Sequence, residues 1–151
     1  MLTFRLASRS DVPAILALYA DDEVSRARDG AVSEAADEAH WAAFEAIDAD
    51  RRNELIVAEQ EGDVVGTFQL TFTPSLSRGG AERMTIEAVR VRADLRGQGL
   101  GRRMMEWALA RGRERGAGLA QLTSDRNRPE AHRFYESLGF TASHVGMKRP
   151  L

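Results

Sequence analysis

The sequence predicts a mixed α/β fold built on one central β-sheet, and three observations carry that expectation. Apolar residues recur at helical spacing in some stretches and alternate in others. A strand-loop-helix unit with three glycines in its loop, Leu95 to Arg103 (LRGQGLGRR), lies in the second half. The 151 residues contain no internal repeat, low-complexity tract or linker, so residues 1–151 are expected to form a single domain.

Leu2 to Ala7 reads as a strand. In the following SRSDVPAILALYA, Ser10 or Asp11 can cap a helix, Pro13 is tolerated in its first turn, and Ile15, Leu16 and Leu18 supply an apolar face. DDEVSRARDG is a polar loop. Ser33 to about Ala49 is a helix, with Trp41, Phe44 and Ile47 at three-residue spacing on its core side. Leu55–Glu59 and Val64–Phe72 form a hairpin, turning at Gly62-Asp63. A loop, TPSLSRGGAE, precedes the strand RMTIEAVRVR. Gly101 to about Arg115 is a helix packing through Met104, Met105, Trp107, Ala108 and Leu109, with Gly116 as its C-cap. LAQLT is a short buried strand, Pro129–Leu138 a helix, and Thr141–Lys148 a final strand.

The strand before the glycines carries a phase error. Met84 and Ile86 are apolar at even positions, Val89 and Val91 at odd ones. A regular strand cannot change the parity of its buried face without an extra residue, so a β-bulge is expected around Glu87-Ala88. The bulge frees a backbone N–H and bends the strand from its neighbour, which suits an extended ligand.

Composition removes several classes of function. A formal charge of −2 argues neither for a nucleic-acid binder nor for a membrane-surface protein. There is no cysteine, hence no disulfide, thiolate metal site or thiol nucleophile. No uncharged apolar run reaches the roughly 18 residues needed to cross a bilayer, and the N-terminus has no signal-peptide pattern, so a cytoplasmic protein is the expectation. His40, His132 and His144 are scattered without ligand spacing, and no metal is expected.

For RGQGLGRR, a P-loop would need Lys-Ser or Lys-Thr after its last glycine, but Arg102-Arg103 follows. A Rossmann fingerprint starting at Gly97 would need glycine at position 102 and a place on the first strand of its unit. A glycine-rich connection without a ligand is the plain alternative. A diphosphate cradle fits better: amides converge at a helix N-terminus where the macrodipole favours an anion, glycines let the backbone approach phosphate oxygens, and Arg96 and Arg102 add charge.

Here the chain resembles the GNAT superfamily of N-acetyltransferases. The core of that family's acetyl-coenzyme A motif is Gln or Arg, two residues, Gly, one residue, and Gly or Ala; Arg96, Gly99 and Gly101 fill those places, after the apolar-x-apolar step Val89-Arg90-Val91. AHRFYESLGF supplies the family's later alanine, tyrosine and Gly-Phe as Ala131, Tyr135, Gly139 and Phe140. The resemblance covers essentially the whole chain. It implies one GNAT-like α+β domain, a mixed sheet with a bulged central strand and about four flanking helices. The cofactor residues it implies are Val89, Arg90, Val91, Arg96, Gly97, Gln98, Gly99, Leu100, Gly101 and Arg102. In one departure, the asparagine that often stands three residues before the alanine is Arg128 here, and Asn127 beside it is the candidate for the pantetheine contact.

The implied activity is direct acetyl transfer from acetyl-coenzyme A, as co-substrate and without a metal, to a primary amine. Glu87 is the candidate base, acting through a water, and the backbone N–H near Val89 would polarise the thioester carbonyl. Tyr135 is the candidate acid, since a phenol can protonate a thiolate of similar basicity. The acceptor, a small-molecule amine first of all, would be met by YADDEVSRARDG and TPSLSRGGAE, where Asp21, Asp22 and Glu23 could attract a cation. Nucleic acid and membrane are not expected partners, and a homodimer is an option the resemblance leaves open. A second class is a catalytically inactive acyl-coenzyme A-binding module or sensor of the same fold.

Overall fold

The computed structural model describes residues 1–21 and 36–151. Its five strands form one mixed sheet in chain order: β1 (Leu2–Leu6), β2 (Asn53–Gln60), β3 (Asp63–Thr73), β4 (Arg83–Val91) and β5 (Leu119–Gln121). The first four are antiparallel neighbours, and β5 joins β4 in parallel. Four helices flank the sheet among the described residues: α1 (Val12–Ala20), α2 (Glu38–Ala49), α3 (Leu100–Arg115) and α4 (Pro129–Ser137).

Alternation along the strands divides the core between two faces. Ile56, Ala58, Phe68, Leu70, Phe72, Met84 and Ile86 pack against Leu100, Met104, Met105 and Ala108 of α3. On the opposite face, Leu55 and Val57 pack against Val12, Ile15 and Leu16 of α1 and Phe44 of α2. Thr67, a polar side chain buried inside the sheet, donates its hydroxyl to the Ile56 carbonyl at 2.8 Å, which offsets its desolvation.

Several expected boundaries are corrected. Helix α2 begins at Glu38, because Asp37 caps it by accepting the His40 amide at 3.0 Å. Ser33 itself, like residues 22–30 of the polar loop, lies outside the described residues. The hairpin turns at Glu61-Gly62 rather than Gly62-Asp63; both turn residues have positive φ, 53° and 84°, the geometry of a two-residue primed turn. Helix α3 ends as expected: Gly116 has φ 88°, and the Ala117 amide reaches back to the Gly112 carbonyl at 2.9 Å.

The final strand expected over Thr141–Lys148 does not form. Gly146 passes close to the Thr123 side chain, beyond the end of β5, but no ladder joins the segment to the sheet. Its alternating Val145 and Met147 find no apolar surface and stay 87% and 89% exposed. No helix among the described residues is long and apolar enough to cross a membrane.

Candidate functional site

The expected bulge is present on β4. Gly66 and Thr67 of β3 pair with Val91 and Arg90, whereas Gln69 and Leu70 pair with Glu87 and Ile86. Phe68 alone therefore stands opposite both Ala88 and Val89. Ala88 absorbs the extra residue with φ 52°, a left-handed conformation unusual for a residue with a Cβ. On its other side β4 pairs with β5 over three rungs only, Arg83–Leu119, Met84–Ala120 and Thr85–Gln121. Among the described residues, β4 from Ile86 onward has a ladder partner on one side alone, and the two parallel strands part there.

The bulge also redistributes side chains between the faces. Ile86 is buried in the α3 core, and Val89 and Val91, beyond the slip, pack against that same core. Glu87 and Arg90 are left on the face of α1. Their partners Gln69 and Thr67 are two residues apart on β3 and so point the same way. The Arg90 guanidinium lies 5.6 Å from the Tyr19 ring centroid of α1, and its Nη1 donates to the Val89 carbonyl at 2.9 Å. Burial pushes the Tyr19 phenol upward, with the Arg90 charge opposing and the Glu87 charge adding to the rise. Glu87 itself is exposed.

Beyond Val91 the chain makes a short 3₁₀ turn, Ala93–Leu95, and enters α3 through Arg96-Gly97-Gln98-Gly99. Gly97 and Gly99 have φ of 80° and 84°, so any side chain there is strained. A Cβ on either would meet nothing within 4 Å, which leaves open space over the loop. Gly99, as N-cap, has no side chain to bond the first-turn amides of α3, which an α-helix leaves without internal partners. These amides point into the open space over the loop, at the end of the helix where the macrodipole favours an anion. Buried Leu100 anchors the helix start, and Gly101 faces Phe134 of α4, whose ring would lie at ordinary contact distance, 3.6 Å, from a Cβ there. Arg96 Nε donates to the Val91 carbonyl at 3.3 Å, Gln98 Nε2 to the Asp94 carbonyl at 3.4 Å, and Arg102 Nη2 to Ser137 Oγ at 3.2 Å. All three side chains are exposed beside the loop.

Tyr135 lies on α4, half-buried at the edge of the larger core, with Phe134 and Phe140 rings at 5.3 and 6.0 Å. Burial pushes its phenol up, while the charges of Arg128 and Arg90 pull it back. The Arg90 charge thus acts on both phenols. Asn127 stands apart, on an exposed turn held by its amide donating to Asp125 Oδ1 at 2.9 Å. Asp21 accepts the Ala93 amide at 3.3 Å, tying the end of α1 to the loop after β4; Asp22 and Glu23 lie outside the described residues. His40 serves the α2 cap, the His132 ring bonds the Asp125 carbonyl at 2.9 Å, and the His144 ring bonds Ser143 Oγ at 2.7 Å.

Tyr19 and the side chain of Arg90 were not among the sequence-level candidates for chemistry. The available signal was the bulge itself: once the parity of β4 slips, Arg90 between two inward valines must face the same way as Glu87.

Comparison with known proteins bears on the same region. The acetyltransferase (GNAT) family model matches residues 13–140. A crystal structure described as a transcriptional regulator from Bacillus halodurans C-125 is 43% identical, covers 100% of both chains and superposes with a TM-score of 0.94. The aminoalkylphosphonate N-acetyltransferase of Salmonella typhimurium is 33% identical over 95 residues, 63% of this chain and 61% of that protein. The streptothricin acetyltransferase of Streptomyces lavendulae is 33% identical over 129 residues, 85% of this chain and 58% of that protein. The chain thus spans about three-fifths of the length of each curated relative it matches.

Proposed function

We propose, because this chain belongs to the acetyltransferase (GNAT) family, that it moves an acetyl group from acetyl-coenzyme A to a small primary amine as one acetyltransferase domain. The family uses acyl-coenzyme A, and two curated relatives are named for acetylating an aminoalkylphosphonate and streptothricin. The observation that carries the proposal is the continuity of the parted strands with the glycine loop: bulged β4 leads directly into Gly97 and Gly99, whose positive φ and open space suit a diphosphate.

In this reading the amides of Gly97 to Arg102, with Arg96 and Arg102 beside them, hold the diphosphate. Asn127 is the proposed pantetheine contact. The backbone of Val89, Arg90 and Val91 aligns the pantetheine arm, and the amide near Val89 donates to the carbonyl as it gains charge. The cofactor supplies an acyl group activated as a thioester. An alkylammonium, with a pKa near 10.4, must lose a proton before its nitrogen can attack, and Glu87 takes that proton through a water. As the N–C bond forms and the C–S bond breaks, Tyr135 gives its phenolic proton to the departing sulfur. Burial keeps Tyr135 protonated across the neutral range, the state the role requires.

The deciding experiment follows free thiol release from acetyl-coenzyme A across a panel of amines. Rapid release with one class supports transfer, and Glu87→Gln should then change the pH dependence of kcat/KM; an unchanged profile removes Glu87 from the mechanism. A second reading, an acyl-coenzyme A-binding module without turnover, draws support from the similarity to the Bacillus halodurans protein described as a transcriptional regulator. Tight coenzyme A binding with slow release for every amine would favour it.

A further inference from the structure

We propose that residues 141–148 form a strand along the free edge of β5 in a second copy of this chain, so that two chains exchange it reciprocally. The proposal is independent of the acetyl-transfer reading, and two unfinished surfaces carry it. The first is a sheet edge. β5 is the last strand of the sheet, paired with β4 on one side and, among the described residues, with nothing on the other. Natural edge strands are commonly guarded by charge or proline, but Ala117 to Ser124 (AGLAQLTS) holds neither. The core also thins toward that edge. Ala120 and Leu122 near β5, with Phe134, Leu138 and Phe140 around α4, pack against the α3 core, yet no residue from 113 to 151 is buried. α1 and α3 bury five residues each.

The second surface is a strand without a sheet. Residues 141–148 alternate, with Thr141, Ser143, Val145 and Met147 on one side, and every one of them is exposed. Among the described residues, no ladder joins the segment to β5. Its route is set by the end of α4. Gly139 has φ 93°, its amide donates to the Glu136 carbonyl at 3.0 Å, and the Phe140 amide donates to the Tyr135 carbonyl at 3.1 Å. From there the chain passes the Thr123 side chain at Gly146 and holds Val145 and Met147 clear of its own core. One chain thus presents a strand that lacks a sheet and a sheet that lacks a strand. Two copies related by a twofold axis satisfy both at once, each giving and receiving. Main-chain bonds along β5 supply the pairing, and Val145 and Met147 leave water against the half-buried apolar residues of the other copy.

The test measures the mass of the full chain by sedimentation and its amide exchange by mass spectrometry, across a dilution series. The wild type should be a dimer. Residues 144–148 and β5 should both exchange roughly a hundredfold more slowly in the dimer than after dilution to monomer. Val145→Asp combined with Met147→Asp alters only side chains that are exposed in the single chain. It should raise the dissociation constant by roughly a hundredfold or more and return residues 144–148 to fast exchange. A wild type that stays monomeric at every concentration overturns the proposal. Slow exchange that persists in the monomer overturns it too, because the segment then folds onto its own β5. A dimer whose residues 144–148 or β5 gain no protection, or one that survives both aspartates, associates through another face and equally overturns it.

Discussion

Strands β1 and β5 are the two edges of one sheet, and they are held in opposite ways. β1 is paired with β2 along its whole length, Leu2 through Leu6. It is further fixed by Arg5, which bonds Asp11 through two nitrogens at 2.7 and 3.0 Å and Glu59 at 2.8 Å. β5 has three rungs with β4 and then departs. The open edge does not arise from weak sequence: Met84 and Ile86 of β4 are almost fully buried, 1% and 2% exposed. It arises from one inserted residue, Ala88, held in a conformation that costs an alanine about 1–2 kcal/mol. One edge uses its polar groups to close on itself; at the other, an acid, an arginine and two tyrosines gather around the opening.

Deleting Ala88 should break this contrast most severely. Removing the extra residue restores plain alternation, so Glu87 and Arg90 keep the face of α1 and Val89 and Val91 that of α3, while the left-handed turn and the unpaired backbone of the bulge are lost. Acetyl transfer should fall by roughly a thousandfold or more, while the unfolding free energy measured in denaturant stays equal or rises by about 1 kcal/mol as the strained φ disappears. A deletion variant with wild-type transfer would show that the bulge does not shape the site. Gly99→Val is next. At φ 84° a β-branched side chain is strained, and it would occupy the space over the amides. Affinity for coenzyme A should fall by roughly a thousandfold, about 4 kcal/mol, with stability lowered far less; wild-type affinity by calorimetry would dismiss the cradle. Tyr135→Phe keeps the ring packing with Phe134 and Phe140 and removes only the proton. Turnover should drop by roughly a hundredfold with the KM for acetyl-coenzyme A nearly constant; equal loss in both would make Tyr135 a packing residue.

Much of this contrast was legible in the sequence because it depends on local chemistry. The parity slip between Ile86 and Val89 needs only the period of a strand, and glycine spacing with arginines needs only the geometry of a helix start. What was not legible depends on partners distant in the chain. Thr141–Lys148 alternates like a strand, yet alternation cannot reveal whether an apolar surface is available, and here Val145 and Met147 have none. Tyr19 reads as one more apolar residue of α1 until α1 is laid across β3 and β4. Arg90 reads as an outward residue between valines until Tyr19 is placed over its guanidinium. The turn at Glu61-Gly62 was displaced by one residue because Gly-Asp and Glu-Gly are both credible turn centres, and the register of Gln60 with Asp63 decides between them.

The closed edge supplies the smallest effect and the control for the others. The Arg5 guanidinium, ahead of the Ser8 amide and hydroxyl, holds the Asp11 carboxyl below the usual carboxylate range. A depressed carboxylate stabilises the fold above its unfolded value, near 3.9, and that contribution disappears as pH falls through the lower folded value. Asp11→Asn should therefore cost about 1–2 kcal/mol at neutral pH, a modest figure because the Arg5 side chain is 40% exposed and screened by water. The gap between variant and wild type should narrow as pH falls below about 4. Denaturant unfolding at a series of pH values reads it directly, and a gap independent of pH would mean that Asp11 acts by packing rather than by charge. The same variant should retain coenzyme A affinity, because the bonds it loses lie at the edge opposite the parting of β4 and β5. Loss of that affinity would show that the closed edge holds the open one in place.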